Sequence, residues 1–131
     1  MAAKDTVAGN LRARPVWLLL GCMLVLLVIY LSLARVSLEV PVEQADKFEH
    51  MLAYGTLMFW FANLYCVLSA RIVFAVGFVA MGIALEYMQR LTGYRTFDIA
   101  DMAANVAGVA AGWVWAPPRL PNCLQAMELL W

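Results

Sequence analysis

The sequence predicts an all-α fold: a polytopic membrane protein with four transmembrane helices in an antiparallel bundle. Three observations predict it. Of the 131 residues, 65% are hydrophobic and mean hydropathy is +0.78, against an apolar share of about 45–50% in soluble domains. A chain of this size has too little interior to hide so much apolar surface from water. The apolar residues fall in four runs near the length that spans a bilayer core of roughly 30 Å. The charges, in turn, gather into a few strips between those runs.

The first run, 16–34, has no charge, follows Lys4, Arg12 and Arg14, and has Pro15 at its first turn, where a missing N–H costs nothing. A charged start, an apolar run and Ser32-Leu33-Ala34 also resemble a cleavable leader. The run is longer than an ordinary leader core and three more follow, so an uncleaved first helix is expected. The second span, 51–68, is broken only by Asn63; Ser69-Ala70-Arg71 is expected as a tight turn. The third, 72–88, ends around Glu86. The fourth, 99–116, is rich in Ala and Gly and stops at Pro117-Pro118. Residues 1–15 and 117–131 are then cytoplasmic flanks of a 16–116 membrane domain. Short connections favour adjacent antiparallel helices.

Orientation follows from the distribution of basic residues. Lys4, Arg12, Arg14, Arg71 and Arg119 would share one side with Asp5 and Glu128. The other side holds Arg35, Lys47, Arg90 and Arg95 among seven carboxylates. Both termini are therefore expected in the cytoplasm.

Composition also excludes. Zero net charge gives no field for nucleic acid. Three cysteines make no disulfide framework; all are expected as free thiols, with Cys22 and Cys66 in packing roles. The five tryptophans are expected as interface anchors and lipid-facing rings. No serine lies in a nucleophile-elbow context. Asp98, Asp101, Glu86 and His50 are ligand types for Mg²⁺ or Mn²⁺, but no dedicated spacing is present. Neither a metal nor any other cofactor is expected.

The polar residues form helical patterns, because positions three and four apart share a face. Asp46, His50 and Tyr54 are so spaced at the start of the second helix, beside Lys47. Glu86, Gln89 and Arg90 share a face at the end of the third. Asp98, Asp101, Asn105, Gly108 and Gly112 line one face of the fourth, and all three faces lie at the same, non-cytoplasmic end. Ala104, Gly108 and Gly112 form a small-residue ridge for close helix contact; Gly77 and Gly82, with Ala80 and Ala84, are expected to act likewise. Asn105 suits an interhelical hydrogen bond. Ionisable groups at membrane depth are costly, so the cluster marks a site.

Asp46-Lys47-x-x-His50-x-x-x-Tyr54, then Glu86-x-x-Gln89, then Arg95-x5-Asp101-x3-Asn105-x2-Gly108-x3-Gly112 resembles the VanZ-like family of bacterial membrane proteins. The pattern covers about half of the chain, and Asp98 falls in a variable part of it. The resemblance implies the architecture, a connection to the cell envelope and an effect on susceptibility to the glycopeptide teicoplanin. It implies no reaction. The expected function is recognition of an anionic or polar, lipid-linked envelope component. Lys47 and Arg95 would contact the anion; Glu86, His50 and Asp101 would orient it or move a proton. Two alternatives stay open: a membrane enzyme acting on a lipid head group, with His50, Glu86 and Asp101 as catalytic candidates, and a structural or assembly factor without a ligand. Oligomeric state is not legible.

Overall fold

The computed structural model describes residues 11–34, 43–91, 99–117 and 119–130, with side chains in the second segment from Lys47 onward. All regular structure among them is helical: α1 (Arg14–Leu33), α2 (Glu43–Leu64), α3 (Leu68–Leu91), α4 (Ile99–Trp115) and α5 (Cys123–Glu128). α1 and α3 are long and apolar enough to cross a membrane. α4 has 17 residues, about 25 Å at 1.5 Å per residue. α2 begins with charge-rich turns.

The most deeply buried helix is not the most apolar. Leu57, Met58, Ala62 and Leu64 of α2 are fully inaccessible, and α2 contacts every other helix. α1 and α3 instead expose Leu19, Leu26, Tyr30, Val73 and Val76. α2 is central because all the other described helices pack on it, whereas α1 and α3 keep a face uncovered.

The tightest contact joins α2 to α4. A Cβ added at Gly55 would sit 3.1 Å from the Gly108 carbonyl oxygen. At Gly112 it would lie 2.9 Å from the Phe59 nitrogen and closer still to the Gly55 oxygen; at Gly108 it would strike the Met51 oxygen. The pairs Met51–Gly108 and Phe59–Gly112 ascend together, so α2 and α4 run in the same sense. α3 opposes α2, for Arg71 meets Ala62 while Gly82 meets Tyr54. α1 also opposes α2: Gly21 lies under Trp60 and Phe61, and Ser32 at its other end accepts a hydrogen bond from Gln89 of α3. Phe61, Phe74 and Phe78 stack between α2 and α3.

Several expectations need correction. The turn between α2 and α3 is Tyr65-Cys66-Val67, not Ser69-Ala70-Arg71, which lies in the first turn of α3. From there the buried Arg71 donates to the Ala62 and Tyr65 carbonyls, 2.9 and 3.3 Å away. Gly77 has nothing within 4 Å of an added Cβ, and Ala80 and Ala84 are exposed beside it. Gly82 is five positions beyond Gly77, about 140° around the helix, so only Gly82 faces the core. Trp17 and Trp60 are internal: their rings meet edge to face at 5.9 Å, and the Trp60 N–H donates to the Trp17 carbonyl at 3.0 Å. Cys22 is exposed and so does not pack the interior, while Cys66 is half-buried.

The region after α4 is more than a tail. The Asn63 side-chain oxygen accepts from the Cys123 N–H at 2.9 Å, and Asn122 donates to the Asn63 carbonyl at 2.8 Å. The last carbonyls of α2, which no helix can satisfy internally, thus find donors in Tyr65, Arg71 and Asn122. α5 then carries Glu128 to the start of α1. Its carboxylate accepts from the Arg12 and Ala13 N–H groups at 2.8 and 2.9 Å and from the Trp17 indole at 2.7 Å.

Partial burial raises the Glu128 pKa, but the hydrogen bonds from Ala13, Arg12 and Trp17 and the Arg12 charge outweigh it, and the carboxyl falls below its ordinary 4.5. A carboxyl with a lowered pKa stabilises the fold above its ordinary value and loses that contribution as pH falls through the lower one. The α5 clasp should therefore hold at pH 5 and above and loosen under stronger acid. Limited proteolysis of α5 against pH checks this; Glu128→Gln should give the acid cleavage pattern already at pH 7.

Candidate functional site

Three helices meet at one level. A Cβ at Gly82 (α3) would lie 2.8 Å from Asn105 Nδ2 (α4) and 3.4 Å from Tyr54 Cε1 (α2). One helical turn further on, each helix places an ionisable residue: His50 four before Tyr54, Glu86 four after Gly82, Asp101 four before Asn105. Because α3 opposes the other two, all three steps point to the same end of the molecule. Four residues advance a helix by about 6 Å, so the three side chains share a level.

Burial supports the convergence. Glu86 and Gln89 are 3% exposed and Asp101 is 7%; His50 and Lys47 are half-buried. All five are engaged by hydrogen-bonding, ionic or electrostatic partners. Carboxylates persist so deep only with such partners. Gln89 ties the cluster to α1 through its 2.7 Å bond to the Ser32 carbonyl. Arg90, expected on the face of Glu86 and Gln89, is exposed, because 100° per residue turns it away from Gln89. Asp101 lies in the first turn of α4, where the helix dipole favours a carboxylate.

Asp46 lies in α2, with its side chain outside the description; Arg95 and Asp98 fall outside the described residues altogether. Among the described residues no group of three His, Cys, Asp or Glu side chains is placed to hold a metal ion.

Asn105 departs from its expected role as an interhelical hydrogen-bond partner. It is 3% exposed, yet its Oδ1 has no hydrogen-bond partner among the described residues. An unsatisfied buried acceptor costs about 1–3 kcal/mol, and such costs collect where function needs the group. Replacing Asn105 by leucine, which has the same branching and number of heavy atoms, should raise the melting temperature of the solubilised protein, a gain of about 1 kcal/mol. Asn105 also lines a groove of about 240 Å³ between α3 and α4, otherwise walled by Val79, Ile83, Ile99, Met102 and Val106 among apolar residues.

Sequence reasoning missed two features here. Gly55, which makes room for the Gly108 backbone, carries no pattern of its own in α2. The Asn63–Asn122 clasp joins residues 59 apart, a separation that local spacing does not reveal.

No curated protein and no solved structure matches the chain. The profile of the VanZ/LLP1 family matches residues 15–120, a stretch that takes in α1 as well as the patterned half from Asp46 to Gly112. With α1 to α4 almost wholly inside that stretch, the chain belongs to the VanZ/LLP1 family.

Proposed function

We propose that this is a four-span protein of the bacterial cytoplasmic membrane whose polar pocket faces outward. In this reading α1 to α4 cross the bilayer as an antiparallel bundle, both termini are cytoplasmic, and 16–116 is the membrane domain. The pocket recognises an anionic or polar, lipid-linked envelope component. Three independent helices bring His50, Glu86 and Asp101 to one end, and this observation carries the reading. Arg12, Arg14, Arg71 and Arg119 gather at the other end, as the positive-inside rule requires of a cytoplasmic face. The large apolar side chains exposed on α1 and α3 suit lipid contact. Lys47 and Arg95 would contact the anion, Arg95 through the planar donor that phosphate prefers. Asp46, Tyr54, Gln89, Asp98 and Asn105 complete the recognition set. Through that component the protein would alter teicoplanin susceptibility.

The test replaces His50, Glu86, Arg95 and Asp101 singly and follows lipid binding and teicoplanin susceptibility in stably inserted variants. Loss of both is expected; unchanged phenotypes across the set would remove the proposal. A purely structural role has one observation in its favour, since Glu86 and Asp101 already have partners. Under that role, folding yield and phenotype fall together in every variant, never phenotype alone.

A further inference from the structure

We propose that α5 and the two leucines after it dock on the anionic head groups of the cytoplasmic leaflet, as a membrane-surface anchor. This rests on the four-span reading above and adds a lipid contact at the end opposite the polar pocket. α5 is preformed and fixed in place. The Asn122 side chain caps it by accepting from the Gln125 N–H at 3.1 Å, and also donates to the Asn63 carbonyl in the last turn of α2. At the other end Glu128 is bound to the start of α1. The helical turn continues past Glu128, because the Leu129 and Leu130 N–H groups donate to the Ala126 and Met127 carbonyls at 3.2 and 3.1 Å.

The two faces of this segment differ. Leu124 and Glu128, four apart, turn inward against the bundle. Cys123, Ala126, Met127 and Leu130 follow the spacing of one other face, and all four are exposed. Leu129 and Leu130 are 83% and 85% exposed. Packing does not dictate an apolar residue at any of these positions, and a grouped apolar surface marks an interaction site. Its level is that of a bilayer boundary. Glu128 sits at the start of α1, which exposes Val16 and Leu19 just beyond. α4 ends on Trp115, 62% exposed, a side chain that favours the head-group zone.

Charge selects the occupant. At this end Arg12, Arg14, Arg71 and Arg119 stand against one carboxylate among the described residues, Glu128. That carboxylate is already engaged by the Arg12 and Ala13 N–H groups and the Trp17 indole. A second copy docked through the same face would bring like charges together, whereas an anionic leaflet neutralises them. A short apolar helix beside basic side chains is the pattern of a segment lying in the interface plane.

The experiment places a nitroxide at Leu130→Cys, and separately at Val76→Cys, in full-length protein carrying Cys22→Ala, Cys66→Ala and Cys123→Ala. The protein is held in nanodiscs of phosphatidylglycerol or of phosphatidylcholine. Collisions with oxygen, which concentrates in lipid, are compared with collisions with a water-soluble nickel chelate. Position 76, exposed on α3, reports on the four-span reading alone. In phosphatidylglycerol both labels should favour oxygen. In phosphatidylcholine, or with Arg119→Glu, the docked-to-undocked ratio at position 130 should fall at least about fivefold, the weight of one arginine near an anionic surface. Arg119→Lys should keep it. A label at 130 that favours nickel while the label at 76 favours oxygen overturns the anchor and leaves the four-span reading standing. Equal ratios in the two lipids, or dipolar broadening from a second copy at position 130, overturn the anionic-lipid assignment. A label at 76 that favours nickel overturns both readings.

Discussion

Replacing Gly108 by alanine should destabilise the helical core by about 3 kcal/mol, the upper range for forcing extra volume into a packed interior. The new methyl would meet the Met51 carbonyl oxygen, the Met51 Cα at 3.0 Å and the Gly55 nitrogen at 3.1 Å. All three are backbone atoms that no rotamer change can move, so α2 and α4 must separate. Glycine to alanine ordinarily favours a helix by up to about 1 kcal/mol. Gly77→Ala provides the control: an added Cβ there meets nothing within 4 Å, and no loss of stability is expected. Melting temperatures of the two variants in one detergent decide the matter. Equal effects would mean that α2 and α4 are not in backbone contact.

Arg71→Leu should cost about 3 kcal/mol, because charge-assisted hydrogen bonds are worth about 1.5–3 kcal/mol and two acceptors lose their donor. The guanidinium is 6% exposed and serves the Ala62 and Tyr65 carbonyls. Leucine fills the space yet leaves both oxygens without it. Lysine keeps the charge but lacks the fork that reaches two carbonyls at once, so it should restore only part of the stability. A melt of the three proteins tests this ordering.

Much of the fold was legible because helical periodicity and membrane chemistry are local signals. The fourth helix was expected over 99–116 and occurs at Ile99–Trp115; its buried stripe of Asp101, Ala104, Asn105, Gly108 and Gly112 follows the spacing of the letters. His50, Glu86 and Asp101, which helical spacing put at one end of their helices, lie one turn from Tyr54, Gly82 and Asn105. What the letters hid was contact between distant segments. Glu128 looked like one charge in a tail, but it anchors the start of α1 across 116 residues. Arg71 looked like a turn cation, although helix ends always leave carbonyls that a nearby arginine can satisfy. Gly77 and Gly82 looked alike, and only the angle between them separates an exposed glycine from a packed one. Asn105 matched its pattern, while its unsatisfied oxygen is visible only in three dimensions.

The central claim is that the polar end of α2, α3 and α4 holds a lipid-linked ligand. Native mass spectrometry of protein extracted together with its membrane lipids tests it most directly, comparing wild type with Glu86→Gln at matched melting temperature. Wild type should retain a lipid with an anionic or polar head group, and Glu86→Gln should release it. An identical lipid complement on both proteins would contradict the account.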